Sequence, residues 1–305
     1  MKSQVNRQPE VAPKVASHAP SRGASGFVRE LAMLFKLRLS LLVVFSTGMA
    51  YFISLSSSVV WFDFTILLLS GFLITGSANA INQVLEKDYD ALMSRTKDRP
   101  VAAGRMSTSA AVLIAGVSVA IGLTLLATLN WLAALLGAMA FMSYAFIYTP
   151  LKRFTPLATW VGAFPGALPV VIGSVVAAGS LTPLALVLFS IQFLWQFPHF
   201  WAIAWLMQED YAKAGFFLLP GRNQQKDKIV GLNSLIYAGA IAPVVIASWN
   251  YGIFGTWGLV LLGLTLSFYL YKSFLLFLRN DDESARQLMF ASFYFLPLAL
   301  VAFFL

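Results

Sequence analysis

The sequence predicts an all-α polytopic membrane protein with nine transmembrane helices, and three observations carry that prediction. Apolar residues make up 59% of the 305-residue chain and charged residues only 11%. Soluble domains carry about 25% charged residues, so in water this chain would expose apolar surface that its polar groups cannot cover. The charges are also confined to short clusters separated by long uncharged runs, each near the roughly 20 residues needed to cross a bilayer. Finally, the runs are continuous rather than alternating at every second residue, which favours helices over a β-barrel. The chain has no cysteine, which excludes disulfides and thiolate metal sites.

The elements follow in order. Residues 1–26 are rich in Ser, Pro, Ala, Gln and basic residues without apolar periodicity, a composition that stays disordered. The tail does not read as a signal peptide, because the apolar run behind it is of full span length and lacks a small-residue cleavage site. We divide the chain into a disordered, basic, cytoplasmic tail over residues 1–35 and one intramembrane domain over residues 36–305. Nine apolar runs lie near residues 39–56, 64–84, 107–129, 131–148, 157–178, 183–207, 229–249, 252–277 and 287–305. Ser56, Ser57 and Ser58, Asn130, Gly179 and Ser180, and Asn250, Tyr251 and Gly252 break them.

Charge sets the orientation. All 21 Lys and Arg residues fall in the first 38 residues, at the connections after the second, fourth and sixth runs, or around the connection after the eighth, where Lys272 lies in the last turns of the run itself. The positive-inside rule then places the amino terminus in the cytoplasm and, with nine spans, the carboxyl terminus outside. The same rule accounts for the net charge of +8 without invoking nucleic acid. The expected location is the cell (inner) membrane, with the lipid bilayer as the surrounding partner.

Two acidic clusters lie on the cytoplasmic side. After the second run, Asn82, Glu86 and Asp90 stand at i, i+4 and i+8. Each such step drifts only about 40° around a helix, so all three share one face, while Asp88 points elsewhere. One amide and two carboxylates suit a hard cation such as Mg²⁺, which binds through a few carboxylates together with substrate phosphates. Arg95, Lys97 and Arg99 follow and can take phosphate oxygens, arginine in bidentate fashion. Taken alone, the run also fits a solvated loop with local ion pairs.

The second cluster, Glu209 and Asp210, closes the sixth run, inside which lie Gln192, Gln196 and His199. Polar groups at such depth usually face a cavity or the bundle interior. His199 and the tail residue His18 are the only histidines, which rules out a multi-histidine metal site. His199 reads either as a helix–helix hydrogen-bonder or as a substrate contact. Gly162, Gly166 and Gly173, with Ala163 and Ala167, give the fifth run a small-residue face suited to packing. Pro165 and Pro169 are expected to kink that run. No phosphate-binding Gly-rich loop with a lysine, dinucleotide fingerprint or serine-nucleophile elbow is present.

The row from Asn82 through Asp90, continuing in Leu92, Met93, Arg95, Thr96, Arg99 and Pro100, resembles the first acidic motif of the intramembrane, UbiA-type prenyltransferase superfamily. Within it the pattern is similar to the haem O synthase (protohaem IX farnesyltransferase) branch. Tyr148 to Arg153, Gly166 to Pro169, Trp195 to Trp201, and Asp210 with Tyr211 through Pro220 extend the resemblance. It runs from about Lys36 to the ninth run and leaves out the tail. Glu86 stands where aspartate is commonest in the wider superfamily, Leu37 stands where proline is frequent, and the second motif keeps one clear match, Asp210.

The resemblance implies that residues 36–305 are an intramembrane prenyltransferase domain. Its reaction would be farnesyl diphosphate plus haem B plus water giving haem O and diphosphate. It implies Mg²⁺ held by Asn82, Glu86, Asp90 and Asp210, with Lys36, Arg38, Arg95, Arg99, Lys152 and Arg153 for diphosphate or haem propionates, and His199 for the haem. The downstream haem A synthase is an expected partner. Two other readings stand beside it. One is a sister enzyme acting on a quinone precursor. The other is a secondary transporter, which would more naturally carry midplane charges and repeated broken helices.

Overall fold

The computed structural model describes residues 23–221 and 225–305, and among these every regular element is helical. The chain opens with α1 (Ala24–Leu34) and α2 (Leu37–Ile53), joined at a 59° bend. Then come α3 (Trp61–Leu85), the single turn α4 (Lys87–Asp90) and α5 (Thr108–Leu129). Helix α6 (Trp131–Met142) runs on through a π-helical turn, Ser143–Tyr148, into α7 (Thr149–Leu151). The second half holds α8 (Ala158–Ala178), α9 (Pro183–Leu206) and the short α10 (Gln208–Lys213). It ends with α11 (Lys228–Gly239), α12 (Ile241–Asn250), α13 (Thr256–Arg279) and α14 (Asp282–Val301). Eight of the spans are long and apolar enough to cross a membrane alone, and the bent pair α1–α2 supplies the ninth.

Local chemistry explains where the helices start. Ser107 Oγ accepts from Ala110 N at the start of α5, and Asn130 Oδ1 accepts from Leu132 N and Ala133 N at the start of α6. Thr182 caps α9, with Pro183 in its first turn, and Asp281 caps α14. Each of these side chains satisfies an amide that a helix start leaves open. Asn280, at φ 54°, closes α13 in the left-handed form, which asparagine tolerates better than most residues.

The small-residue face of α8 is a packing surface, and it meets three different elements. A side chain at Gly162 would run into the Tyr148 ring, one at Gly166 into Gln196 and one at Gly173 into the Thr47 backbone. Backbones approach closely at such positions, which is how helices associate without a hydrophobic driving force. Pro165 and Pro169 both lie inside α8.

Two boundaries differ from expectation. The expected disordered tail, residues 1–35, is helical from Ala24, and Leu34 and Phe35 are buried. The part of the tail before residue 23 lies outside the described residues. The reason is a partner far along the chain: Gln83 Nε2 donates to the carbonyls of Met33 and Leu34, both at 2.9 Å, closing the end of α1. The ninth span begins at Asp282 rather than 287, because Asp281 caps it one turn earlier than the apolar run suggests.

Candidate active site

The site lies where the basic connections meet, at one end of the bundle. Helix α3 presents Asn79, Asn82 and Gln83 as buried polar residues in its last two turns. At Glu86 the backbone opens to φ −102°, ψ 9°, and α4 resumes the helix through Asp90. The bond from Asp90 N to Glu86 O (2.7 Å) preserves the helical step across the break. Asn82, Glu86 and Asp90 are 1%, 4% and 0% exposed, whereas Asp88 lies on the surface. The row therefore keeps one inward face despite the interruption.

Each member of the row faces a basic side chain from a different segment. Lys36 Nζ donates to Asn82 Oδ1 at 2.8 Å, Lys152 pairs with Glu86, and Arg99 Nη1 donates to both Asp90 oxygens at 2.8 and 2.7 Å. Lys36 adopts a left-handed conformation, φ 47°, at the α1–α2 bend. Lys152 lies over the rings of Tyr148 and Phe216, 5.0 and 5.2 Å from their centroids. Burial pushes the Asp90 carboxyl above its ordinary range, and the Arg99 charge opposes that shift.

Two carboxylates thus face three basic side chains, a donor set suited to a polyanion such as a diphosphate. The donor set is all oxygen, buried and on one face, which fits a small hard divalent cation that shares its coordination with phosphate oxygens.

A second layer fixes the row. Asn82 Nδ2 donates to Thr149 Oγ1 (3.2 Å), and Thr149 Oγ1 donates to the Tyr144 carbonyl (2.9 Å). The Tyr144 hydroxyl lies 3.4 Å from Asn79 Oδ1. These residues belong to α3, the π-helical turn and α7. Asn79 and Tyr144 were not singled out from the sequence. The signal available was spacing: Asn79 precedes Asn82 by three residues, and Tyr144 precedes Tyr148 by four, both neighbouring positions on a helix face.

The other expected site residues take different places. Arg153 Nη1 donates to the Tyr89 hydroxyl (2.7 Å) and stacks over that ring. Arg38 and Arg95 expose their side chains. Asp210 accepts from Ser94 Oγ and Lys213 Nζ, both at 2.9 Å, and from Arg95 N at 3.4 Å. The Lys213 and Ser94 bonds hold its carboxyl down to about 2. The structure does not bring Asp210 into one group with Glu86 and Asp90. Among the described residues no three His, Cys, Asp or Glu side chains gather as a metal cluster.

His199 is 9% exposed, stacked on Trp195 with centroids 5.0 Å apart, and its Nδ1 lies 2.7 Å from Ser292 Oγ of α14. Gln196 fills the space opposite Gly166 and donates to the Ala163 and Gln192 carbonyls.

Comparison with known proteins agrees with this architecture. Residues 42–296 match the model of the UbiA prenyltransferase family. The chain is 39% identical over 293 residues to a protoheme IX farnesyltransferase of Christiangramia forsetii, covering 94% of this chain and 95% of that one. It is 36% identical over 277 residues to the mitochondrial protoheme IX farnesyltransferase of Homo sapiens, covering 89% of this chain and 60% of the human one. Among solved structures, a digeranylgeranylglyceryl phosphate synthase superposes with TM-score 0.77 at 17% identity, covering 90% of this chain and 96% of that one. A UbiA homolog from Archaeoglobus fulgidus bound to GPP and Mg²⁺ superposes with TM-score 0.63 at 15% identity, covering 90% of this chain and all of that one. The structural likeness establishes the fold, and the family match together with the curated relatives establishes descent: this chain belongs to the UbiA prenyltransferase family.

Proposed function

We propose that this chain transfers the farnesyl group of farnesyl diphosphate to a vinyl group of haem B, with addition of water, giving haem O and diphosphate. The observation that carries the reading is the buried Asn82, Glu86 and Asp90 row faced by Lys36, Lys152 and Arg99. The names of the curated relatives support the acceptor, and a family structure bound to a prenyl diphosphate and Mg²⁺ supports the donor and metal.

In this reading Asn82, Glu86 and Asp90 hold Mg²⁺, which neutralises the diphosphate and makes it a better leaving group. Lys36, Lys152 and Arg99 turn from the row to the diphosphate oxygens as the substrate arrives, stabilising the charge that grows when the C1–oxygen bond breaks. The vinyl π electrons then form the new bond to the farnesyl C1. Water adds to the resulting carbocation and loses a proton. Tyr144 and Tyr148 close the apolar side of the site and keep water from the allylic cation until that bond has formed. Asp210 positions the 94–95 turn that carries Arg95, and Arg38 and Arg153 steer anions toward the same end.

The basic end is the cytoplasmic face of the cell membrane, and the haem A synthase is the enzyme that receives the product. Single cysteines test the orientation: one at Ser94 should resist an impermeant thiol reagent in intact cells, and one at Asn130 should react. Labelling at Ser94 would reverse the topology. For the reaction, the purified protein in detergent is supplied with farnesyl diphosphate, Mg²⁺ and haem B, and the product is weighed by mass spectrometry. Haem O is expected. Prenylation of 4-hydroxybenzoate but not of haem B would replace this reading with that of a sister enzyme.

A further inference from the structure

Thr149 touches the row without bringing a charge to it. It is 1% exposed and stands at the end of the π-helical turn. In a regular helix its amide and hydroxyl would reach the carbonyl four residues back. The wider turn sends both one residue further: the amide donates to the Tyr144 carbonyl, and Oγ1 donates to the same oxygen at 2.9 Å.

A threonine hydroxyl has one proton to give and lone pairs to offer. With the proton given to Tyr144, Oγ1 meets Asn82 as an acceptor alone, and Asn82 Nδ2 donates to it at 3.2 Å. The amide of Asn82 is thereby oriented. Its nitrogen faces the π-helical turn, and its Oδ1 faces Lys36, whose Nζ donates to it at 2.8 Å. Turned over, the amide would set its oxygen against a hydroxyl whose proton is committed and its NH₂ against another donor. Both bonds would be lost where Asn82 and Thr149 are each 1% exposed and water cannot replace them.

Orientation matters at this member of the row and not at the other two. The carboxylates of Glu86 and Asp90 present oxygen whichever way they turn, whereas an asparagine presents either an oxygen or two protons. A hard divalent cation takes the oxygen and is repelled by the protons. The turn that sets Thr149 is itself held on both sides. The Tyr144 hydroxyl lies 3.4 Å from Asn79 Oδ1, its ring packs against that of Tyr148 with centroids 5.4 Å apart, and the Tyr148 ring fills the space over Gly162.

We propose that Thr149 is a positioning residue that locks the polarity of the Asn82 amide, so that its oxygen and not its nitrogen faces the Mg²⁺ of the diphosphate site. This rests on the row being that metal site.

The test reads binding rather than turnover. Binding of farnesyl thiodiphosphate, an analogue that ionises too slowly to react, is followed calorimetrically in detergent with the full-length protein at a series of Mg²⁺ concentrations. Thr149→Val keeps the shape and removes the hydroxyl, and should raise the Mg²⁺ concentration for half-maximal binding about tenfold or more. Thr149→Ser should restore it to within about twofold of the parent. A carboxylate has no wrong way round, so in an Asn82→Asp background the added Thr149→Val should change the Mg²⁺ requirement by no more than about twofold. Should Thr149→Val fail to fold, Thr149→Ala in the same two backgrounds carries the comparison. An unchanged requirement without the hydroxyl, no recovery in Thr149→Ser, or an equal loss in the Asn82→Asp background would overturn the lock and leave the metal site standing. A parent that binds the analogue equally well without Mg²⁺ would overturn the metal site and the lock together.

Discussion

The two acidic segments at the basic end began as similar sequence features, and the fold treats them differently. The first, at the α3–α4 junction, is buried, and a basic side chain from another segment faces each member. The second, on α10, leaves Glu209 on the surface and ties Asp210 to a neighbouring turn. The difference follows from register. Both helices break alike, at Glu86 (φ −102°, ψ 9°) and at Met207 (φ −103°, ψ 14°), but steps of four keep Asn82, Glu86 and Asp90 on the inward side, whereas Glu209 and Asp210 are adjacent and do not share a face. Burial with compensation is what separates a site for a charged substrate from a loop that carries charge, because unpaired charges in a dry interior are costly.

Substitutions sharpen this contrast. The largest loss is expected for Asp90→Asn and Glu86→Gln, about 10²-fold or more in turnover of farnesyl diphosphate, measured as diphosphate release. Lys152→Met comes next. It removes the partner of Glu86 and leaves a buried carboxylate alone, so the melting temperature in detergent should fall along with roughly tenfold of the turnover. Asp210→Asn should cost less than Lys152→Met, since it loosens only the 94–95 turn. A loss at Asp210 as large as that at Asp90 would mean that the two segments act together on the metal. The smallest effect belongs to Asp88→Asn, within about twofold, as expected of an exposed side chain. If Asp88 mattered as much as Asp90, register would not be what distinguishes the residues.

Much of this was legible from the chain because membrane spans and helical rows depend on local pattern. Nine apolar runs became nine spans, counting the bent α1–α2 pair, and the spacing of Asn82, Glu86 and Asp90 became one buried face. What escaped depends on contacts distant in sequence. Nothing near residues 24–34 announces that Gln83 will close the helix there. The π-helical turn at Ser143–Tyr148 likewise has no marker in the local composition, although it sets Tyr144 and Tyr148 against the row. The placement of Asp210 was also beyond sequence reasoning, because its partner Ser94 lies 116 residues away.

The left-handed backbone at Lys36 has a practical consequence for anyone engineering the protein toward heat resistance. A side chain in that conformation costs roughly 1–2 kcal/mol, and glycine would relieve it. Yet the same backbone geometry delivers the ammonium to Asn82. A library sorted only for survival at high temperature would keep Lys36→Gly wherever the backbone relief outweighs the lost bond to buried Asn82, and so discard one of the three basic side chains meant for the diphosphate. Stability and chemistry compete at this position, so any such selection has to be read out by turnover as well as by melting.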